Sequence, residues 1–466
     1  MKNSLQELDK RLNEEYGRTR VGVRRRVSEE DDNPETALGL EDPRYKIFLG
    51  LESRYNLKDF FNSTRRAPVS LRRIGEPIRA YINFSSNLDN YYCPESEHCF
   101  LLGMNGMGKT NFCDLLILEF PKRPNPTNTM WIFQKDATAT TDASIIEGVL
   151  KDREGCKARR ITIGEENTEK IPIDSLDQSD IQTWFGLSPK SYMNFQAHYA
   201  RGRSNGSNMT RILKGFIDAS PKGSPYERLY TSALEEGIFT ENKSNSLTFR
   251  KNETILLDIS QLIKTHTNIF ADMVTNAYCK YLMKYTFEKR RPLVIEQRER
   301  VEKMIKTKND SALLGKLKED AIRASKKIHQ SLIVFDEFHE LVDSYRFDKT
   351  SSTINEIALQ GRQNGMSLLL AMQSLYGSRK DEKKSSHQAH YLIQFKSSST
   401  RDHVSILNSM GHSGYDMEKK YEELNKRVFN SDDPTALKGR IIISNKNMGI
   451  ENTKTVKLRL AQQVET

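Results

Sequence analysis

The 466-residue sequence has few cysteines, and their distribution argues against a disulfide-stabilised fold. The five cysteines are an odd number and form no Cys-x-x-Cys pair, so we predict reduced thiols. One cluster, Cys93, His98 and Cys99, has residue types that bind metals. Two of its members directly precede a glycine-rich loop in a predicted strand, and we therefore favour a buried strand over a metal site.

Long apolar runs are also lacking. No run approaches the ~18–20 residues of a membrane span, and the first ten residues, MKNSLQELDK, lack the apolar core of a secretory signal. The sequence therefore predicts a cytoplasmic protein without a membrane span. With 36% hydrophobic and 29% charged residues, it has the composition of a globular protein and the length for two or three domains.

The most specific pattern that is present is a glycine-rich segment. It consists of Gly103, Met104, Asn105, Gly106, Met107, Gly108, Lys109 and Thr110. The spacing Gly-x-x-x-x-Gly-Lys-Thr turns successive backbone N–H groups toward an anion and brings a lysine and a hydroxyl to a helix start. An apolar run precedes the segment and a helical pattern follows it. The segment therefore predicts a phosphate loop that binds a nucleoside triphosphate.

A second motif supplies the acidic residues that such a site needs. Residues 332–335 form a short apolar run, and Asp336 and Glu337 follow it directly. One carboxylate can hold Mg²⁺, directly or through water, and its neighbour can polarise the water that attacks the γ-phosphate. We assign Asp336 to magnesium and Glu337 to the water. The alternative is a strand end whose acids face solvent.

Predicted strands and helices alternate along the chain, which indicates an α/β fold with a mainly parallel sheet and crossover helices. We divide the chain into a charged N-terminal region (1–75), a first core part (76–280) with a helical insertion at about 179–246, a basic helical segment (281–330) and a second core part (331–466). Inside the insertion, residues 201–207 are predicted to be a flexible basic loop. That loop either touches a phosphate backbone or is an ordinary linker.

The formal net charge of +10 is unevenly distributed. Residues 280–330 contain 15 Lys and Arg against 7 Asp and Glu, a local excess of +8. This excess either marks a surface for a polyanion or keeps a solvated helical hairpin soluble.

Three segments together resemble one known family. They are GMNGMGKT, IVFDEFHEL, and GRQNG followed by SLLLAMQS. This combination resembles the HerA/FtsK family of hexameric DNA-pumping ATPases, within the RecA-like class of P-loop proteins, and HerA is closest in pattern. The resemblance covers about residues 76–280 and 331–460. It departs at Met104 and Met107, where the family has small residues, and in the N-terminal region, which lacks the pattern of the small HerA β-barrel.

The resemblance implies a role for each matching residue. Lys109 would contact the β- and γ-phosphates, and Thr110 and Asp336 would serve magnesium. Glu337 would be the catalytic base, and Gln373 would sense the γ-phosphate. Arg362 would either reach the nucleotide of a neighbouring subunit or form a salt bridge at a helix end.

The function that the resemblance implies is an ATP-driven DNA translocase, with ATP and Mg²⁺ as cofactors, DNA as a partner and a hexameric ring as the assembly. A nuclease or other processing protein is one alternative for a further partner. Candidate DNA contacts are the basic residues Arg290, Arg291, Arg298, Arg300, Arg379, Lys380, Lys383 and Lys384. A different class remains open, a nucleotide-dependent switch that moves no DNA. A phosphotransferase is disfavoured by the Asp336–Glu337 pair and by Gln373.

Overall fold

The computed structural model describes residues 46–52, 79–83, 85–86, 95–133, 137–163, 165, 169–184, 187–235, 237–241, 246–260, 268–307, 313–336, 354, 356–373, 389–397, 415–431, 433–445, 454–458 and 460. The strands are β1 (Lys46–Glu52), β2 (Arg79–Asn83), β3 (Ser85–Ser86), β4 (Glu95–Ser96), β5 (Cys99–Leu102), β6 (Thr127–Phe133), β7 (Lys157–Thr162), β8 (Ile171–Pro172), β9 (Phe239–Thr240), β10 (Glu253–Asp258), β11 (Gln330–Phe335), β12 (Met366–Met372), β13 (Tyr391–Gln394), β14 (Arg440–Asn445) and β15 (Lys454–Leu458). The helices are α1 (Lys109–Glu119), α2 (Ala137–Lys151), α3 (Gln178–Trp184), α4 (Pro189–Ser204), α5 (Met209–Asp218), α6 (Pro225–Glu235), α7 (Asn268–Thr307), α8 (Leu313–Ser325), α9 (Tyr415–Val428) and α10 (Pro434–Leu437).

Eleven of these strands form one sheet, in the order β2-β1-β15-β14-β13-β5-β12-β11-β6-β10-β7. The seven neighbours from β13 to β7 are all parallel. The strands β14, β15, β1 and β2 extend the sheet with antiparallel pairs. Parallel sheets need cover on both faces, and every residue of β6, β10, β11 and β12 is buried. The predicted α/β class with a mainly parallel sheet is confirmed.

The two faces of the sheet are covered by separate hydrophobic clusters. Successive side chains of a strand point to opposite faces, and in β6 Met130 and Ile132 belong to one cluster while Trp131 and Phe133 belong to the other. Helix α7 contributes to the first cluster and α1 to the second. The central strands are thereby enclosed between helical layers, which explains their continuous apolar runs.

The N-terminal part of the sheet departs from the predicted boundaries. Residues 77–84 are predicted to contain an edge strand, and β2 does form the edge of the sheet. However, β1 lies inside the region assigned to a separate charged arm, and it pairs with both β2 and β15. The core therefore begins before residue 76. The remainder of residues 1–75 lies outside the described residues.

The basic segment is continuous with the core. The boundary that we predict between residues 280 and 281 falls inside α7, a 40-residue helix about 60 Å long at 1.5 Å per residue. Val301 in α7 and Leu317 in α8 are apolar positions, and each is only 1% exposed. Among the helices of the described residues, none combines the length and apolarity needed to cross a membrane.

The insertion between β8 and β9 is mainly helical, as predicted, but the basic loop predicted inside it is largely helical too. Helix α4 continues through Arg201 and Arg203 to Ser204, so the predicted flexible loop at 201–207 is wrong for its first four residues. Gly202 lies directly against α5, since a Cβ at Gly202 would be 2.3 Å from the Cγ1 of Ile212. The chain turns only at Gly206, where φ is +69°.

Removing a side chain from the central strand should destabilise the fold. Leu101 in β5 is 0% exposed, and Leu101→Ala should lower the free energy of unfolding by about 2–5 kcal/mol because it leaves a cavity. Denaturant unfolding followed by the fluorescence of buried Trp131 measures this. Met193→Ala on α4, where the side chain is 68% exposed, should change stability by less than about 0.5 kcal/mol. Equal effects of the two substitutions would contradict the burial of Leu101.

Candidate nucleotide-binding site

The glycine-rich segment connects β5 to α1 at the carboxyl edge of the parallel strands. Its first residues are held by the strands on either side of β5. The N–H of Gly103 donates to the carbonyl of Met372 at 3.2 Å, and the N–H of Met104 donates to the carbonyl of Lys396 at 2.8 Å. The start of the loop is therefore attached to the ends of β12 and β13.

Two positions of the loop require glycine, Gly103 because of a close neighbouring side chain and Gly108 because of its positive φ. A Cβ at Gly103 would lie 2.5 Å from the Cβ of Phe395, a distance that real side chains do not adopt. Gly108 has φ +104°, and a Cβ there would lie 3.4 Å from the amide nitrogen of Gly439. The N–H of Gly439 also donates to the carbonyl of Met107 at 2.8 Å. Phe395 and Gly439 thus shape the loop, and sequence reasoning did not identify either residue.

The ammonium group of Lys109 lies inside the curl of the loop. Its Nζ donates to the carbonyl oxygen of Gly103 at 2.7 Å and to that of Met104 at 3.2 Å, and it lies 3.5 Å from Oδ1 of Asn105. Among the described residues, no side chain caps the N-terminus of α1, and its first turn contains no acid. A buried cation and uncapped helix N–H groups at one place fit a phosphate group.

The acidic strand end meets the same helix start. Asp336 directly follows β11, and the Oγ1 of Thr110 donates to its Oδ2 at 3.2 Å. A hydroxyl and a carboxylate are the hard oxygen ligands that Mg²⁺ takes, together with phosphate oxygens and water. These two residues fit the magnesium role, and a bound ion would neutralise phosphate charge there. No group of three or more His, Cys, Asp or Glu in the described part of the chain could hold a metal by itself. Glu337 lies outside the described residues.

A second carboxyl group, which the sequence reasoning missed, lies near this pair. Burial raises the pKa of Asp114 well above its ordinary value, and the nearby charges of Asp142 and Asp336 raise it further. Asp114 therefore holds its proton more tightly than an exposed aspartate does. The sequence signal that could have identified Asp114 is its position among the apolar residues of α1, the helix that follows the loop.

Gln373 and Arg362 lie at opposite edges of the sheet. Gln373 directly follows β12, whose last residue, Met372, accepts a hydrogen bond from the phosphate loop. Arg362 precedes β12, and its carbonyl accepts from the N–H of Ser96, ahead of β5. The seven residues of β12 span roughly 20 Å at ~3.3 Å each. Gln373 therefore lies at the same edge of the sheet as the phosphate loop. Arg362 lies at the opposite edge, away from the phosphate loop of its own chain.

The predicted DNA contacts on α7 are in different environments. Arg290 is only 2% exposed, and its Nε donates to the carbonyl of Gln363 at 3.1 Å. The prediction that Arg290 contacts DNA is therefore wrong for this structure, because its guanidinium is buried among backbone carbonyls. Arg291 is exposed and stacks over Phe287, with 5.6 Å between the guanidinium carbon and the ring centre.

Four other basic residues of this segment have acidic neighbours. Arg298 pairs with Glu302 at 3.3 Å, and Arg300 pairs with Glu296 at 2.5 Å. The Nζ of Lys280 and the Nζ of Lys284 lie 2.5 and 2.7 Å from the two carboxylate oxygens of Asp180 in the helical insertion. Part of the local charge excess therefore holds the fold together. The candidates Arg379, Lys380, Lys383 and Lys384 lie outside the described residues.

The alternative metal cluster is not assembled among the residues described. Cys99 is the first residue of β5 and is buried, as predicted for a strand. The Nδ1 of His98 accepts from the backbone N–H of Leu368 at 3.1 Å. Burial, followed by the nearby charges of His390 and Arg362, lowers the pKa of His98 to about 3. His98 is thus a neutral residue of the sheet core, and Cys93 lies outside the described residues.

No protein-family model and no curated protein matches the chain. Among solved structures, VirB4 of Thermoanaerobacter pseudethanolicus aligns with a TM-score of 0.47 and 11% identity, covering 89% of this chain and 96% of that one. The bacterial conjugative coupling protein TrwBdeltaN70 aligns with 0.41 and 9%, covering 89% and 95%. The genome packaging NTPase B204 of Sulfolobus turreted icosahedral virus 2, in complex with ATP-gammaS, aligns with 0.31 and 10%, covering 78% and 98%. These scores are all below 0.5, so the class of this chain is argued from its own site.

That site defines the class. A phosphate loop joins β5 to α1, an acid follows β11, and β12 lies between these two strands and ends at Gln373. This arrangement is a RecA-like P-loop core. The chain resembles the HerA/FtsK family of P-loop ATPases in the same three segments.

The close approach at Gly103 gives a direct test of the loop. Gly103→Ala should weaken ATP binding by at least about tenfold, because the added methyl group collides with Phe395 and displaces the carbonyl that holds Lys109. Titration with a fluorescent ATP analogue measures the affinity. Gly148→Ala on α2, where a Cβ meets nothing within 4 Å, is the matched control and should bind normally. Unchanged affinity of Gly103→Ala would contradict this loop geometry.

Proposed function

We propose that the protein is an ATP-driven DNA translocase of the HerA/FtsK type, which hydrolyses ATP at the subunit interfaces of a ring. The observation that carries the proposal is the 3.2 Å hydrogen bond between Thr110 and Asp336. It joins the helix start of the phosphate loop to the acidic strand end, and it lies at the same edge of the sheet as Lys109 and Gln373. This combination supports nucleotide hydrolysis rather than binding alone.

In this proposal each residue has a separate duty. Lys109 neutralises the β- and γ-phosphates, and Thr110 and Asp336 hold magnesium, which acts as a Lewis acid toward the phosphate oxygens. Glu337, the next residue in sequence, orients and polarises the attacking water. Gln373, at the end of the intervening strand, senses whether the γ-phosphate is present.

Arg362 acts in trans in this proposal, because its own phosphate loop lies at the other edge of the sheet. A head-to-tail contact would bring the amino edge of one subunit against the carboxyl edge of the next, and such heterologous contacts close into rings. The resemblance to the HerA/FtsK family favours six subunits. A complete active site would then exist only at an interface between two subunits.

In this proposal the protein acts in the cytoplasm, and DNA is the molecule that it moves. A conjugative coupling protein and a viral genome packaging NTPase are among the structures similar to this chain. For this chain we propose that DNA contacts the exposed residues Arg291 and Arg298, the half-buried Arg300, and the basic residues Arg379, Lys380, Lys383 and Lys384. A processing nuclease is one alternative for a further partner.

One observation favours a second candidate, a nucleotide-dependent switch that moves no DNA. The basic residues Lys280, Lys284 and Arg290 are used inside the fold, which reduces the positive surface available to a polyanion. If duplex DNA stimulates ATP turnover, the translocase is supported. The stimulation should then fall steeply as the salt concentration rises, because DNA binding releases counterions. Turnover indifferent to DNA supports the switch.

Because Lys109 and Glu337 have different roles in this proposal, substitutions at the two positions should block different steps of the ATPase reaction. Lys109→Ala should abolish hydrolysis by removing the phosphate-binding cation. Glu337→Gln should bind ATP normally and lose most turnover, because polarisation of the water matters mainly in the transition state. Nucleotide affinity and steady-state turnover of both variants check this. Normal turnover in Glu337→Gln would remove the assignment of the base.

A mixing experiment tests the trans role of Arg362. Arg362→Ala should leave ATP affinity nearly intact and lower turnover by about 10³–10⁵-fold, the effect of arginine fingers in other P-loop enzymes. Rings that combine Arg362→Ala and Glu337→Gln subunits should regain activity, because some interfaces join an intact Glu337 to an intact Arg362. Absence of rescue in verified mixed rings would count against the trans role.

A further inference from the structure

Three polar residues stand side by side at the amino edge of the sheet. His390 precedes β13, Glu97 precedes β5 and Arg362 precedes β12. Because these strands are neighbours in the order β13-β5-β12, Glu97 lies between the other two. The same three strands hold the phosphate loop at their opposite ends.

Glu97 contacts both neighbours. Its Oε2 lies 2.6 Å from the Nδ1 of His390, and its Oε1 lies 3.9 Å from Nη2 of Arg362. The side chain of Glu97 is 1% exposed, that of His390 is 6% exposed and that of Arg362 is 26% exposed. A buried carboxylate is costly unless it is paired, so Glu97 is kept in place by groups on both sides. Arg362 is the member that reaches solvent.

The contact between Glu97 and Arg362 restrains the guanidinium without binding it tightly. A separation of 3.9 Å is an ion pair and exceeds the 2.7–3.2 Å that is typical of N–H···O hydrogen bonds. The pair therefore favours one direction of the side chain, while a more highly charged phosphate can compete for the donors.

The backbone on both sides of Arg362 is hydrogen-bonded. The N–H of Gly361 donates to the carbonyl of Ile357 at 2.7 Å, and a Cβ at Gly361 would lie 2.2 Å from that carbonyl oxygen. Arg290 donates from behind to the carbonyl of Gln363 at 3.1 Å. With its backbone fixed on both sides, the remaining freedom of Arg362 is that of its side chain, which is where Glu97 acts.

We propose that Glu97 is a positioning residue for Arg362, held in register by His390, and that it directs the guanidinium toward the phosphate loop of the neighbouring subunit. This inference rests on the trans role of Arg362 in the proposed function. Glu97 itself contacts no nucleotide in this proposal, because its side chain is only 1% exposed and the phosphate loop of its own chain lies at the far end of β5.

The test is Glu97→Gln, which keeps the shape of the side chain and removes its charge. ATP affinity should be unchanged, and turnover should fall by about 10–100-fold, the range seen for residues that orient metal ligands. In mixed rings, Glu337→Gln subunits should rescue Glu97→Gln subunits, because Glu97 and Arg362 are both intact in the Glu337→Gln subunits. Glu97→Gln should not be rescued by Arg362→Ala subunits, which share its defect.

Glu253→Gln is the matched control. Glu253 is also 1% exposed, begins β10 at the same edge of the sheet, and pairs with Arg159 at 3.1 Å. Its substitution should leave turnover unchanged. If Glu97→Gln fails to assemble, Glu97→Asp, which keeps the charge but shortens the side chain, is carried through the same affinity and mixing measurements and should show the same pattern of rescue.

The outcomes separate this inference from the proposed function. Normal turnover in Glu97→Gln beside a defective Arg362→Ala would overturn the positioning role alone. Rescue of Glu97→Gln by Arg362→Ala subunits would also overturn the positioning role. Failure of rescue by Glu337→Gln subunits in verified mixed rings would overturn it in favour of a purely structural role for Glu97. Full turnover in Arg362→Ala would instead remove the trans function on which the inference depends.

Discussion

The parallel alignment of seven neighbouring strands decides where each functional side chain lies. A residue that follows a parallel strand lies at the carboxyl edge of the sheet, and a residue that precedes it lies at the amino edge. Gly103, Asp336 and Gln373 follow β5, β11 and β12 and therefore meet. Glu97 and Arg362 precede β5 and β12 and meet at the other edge. The alignment depends on burial of both faces, because the strands are apolar on each side.

Local patterns of the sequence were enough to predict the strand and helix on either side of the glycine-rich loop and the strand that Asp336 follows, because each is encoded by adjacent residues. Partners that are distant in sequence were not predictable in this way. Nothing within β1 indicates that it pairs with β15, and nothing near Arg290 indicates that it braces the turn at Gln363. Both are tertiary contacts, which override local signals.

The basic segment illustrates why a charge count is weaker evidence than a motif. A run of lysines and arginines on a helix does not reveal which face is covered. Lys280 and Lys284 pair with Asp180 of the insertion, and Arg290 is buried, so these cations satisfy groups inside the protein. Only a structure distinguishes a basic sequence from a basic surface. The exposed basic residues of α7 include Lys289, Arg291, Arg298, Lys303 and Lys306.

The separation of Arg362 from its own phosphate loop has a mechanical consequence in the proposed ring. β5 and β12 each carry part of the phosphate site at one end and part of the Arg362 cluster at the other. Close-packed sheet interiors deform little, so a shift of the phosphate loop on nucleotide binding would be carried along these strands to the amino edge. There it would move the guanidinium that serves the next subunit. Successive sites could then communicate around the ring through the sheet itself, without a separate hinge.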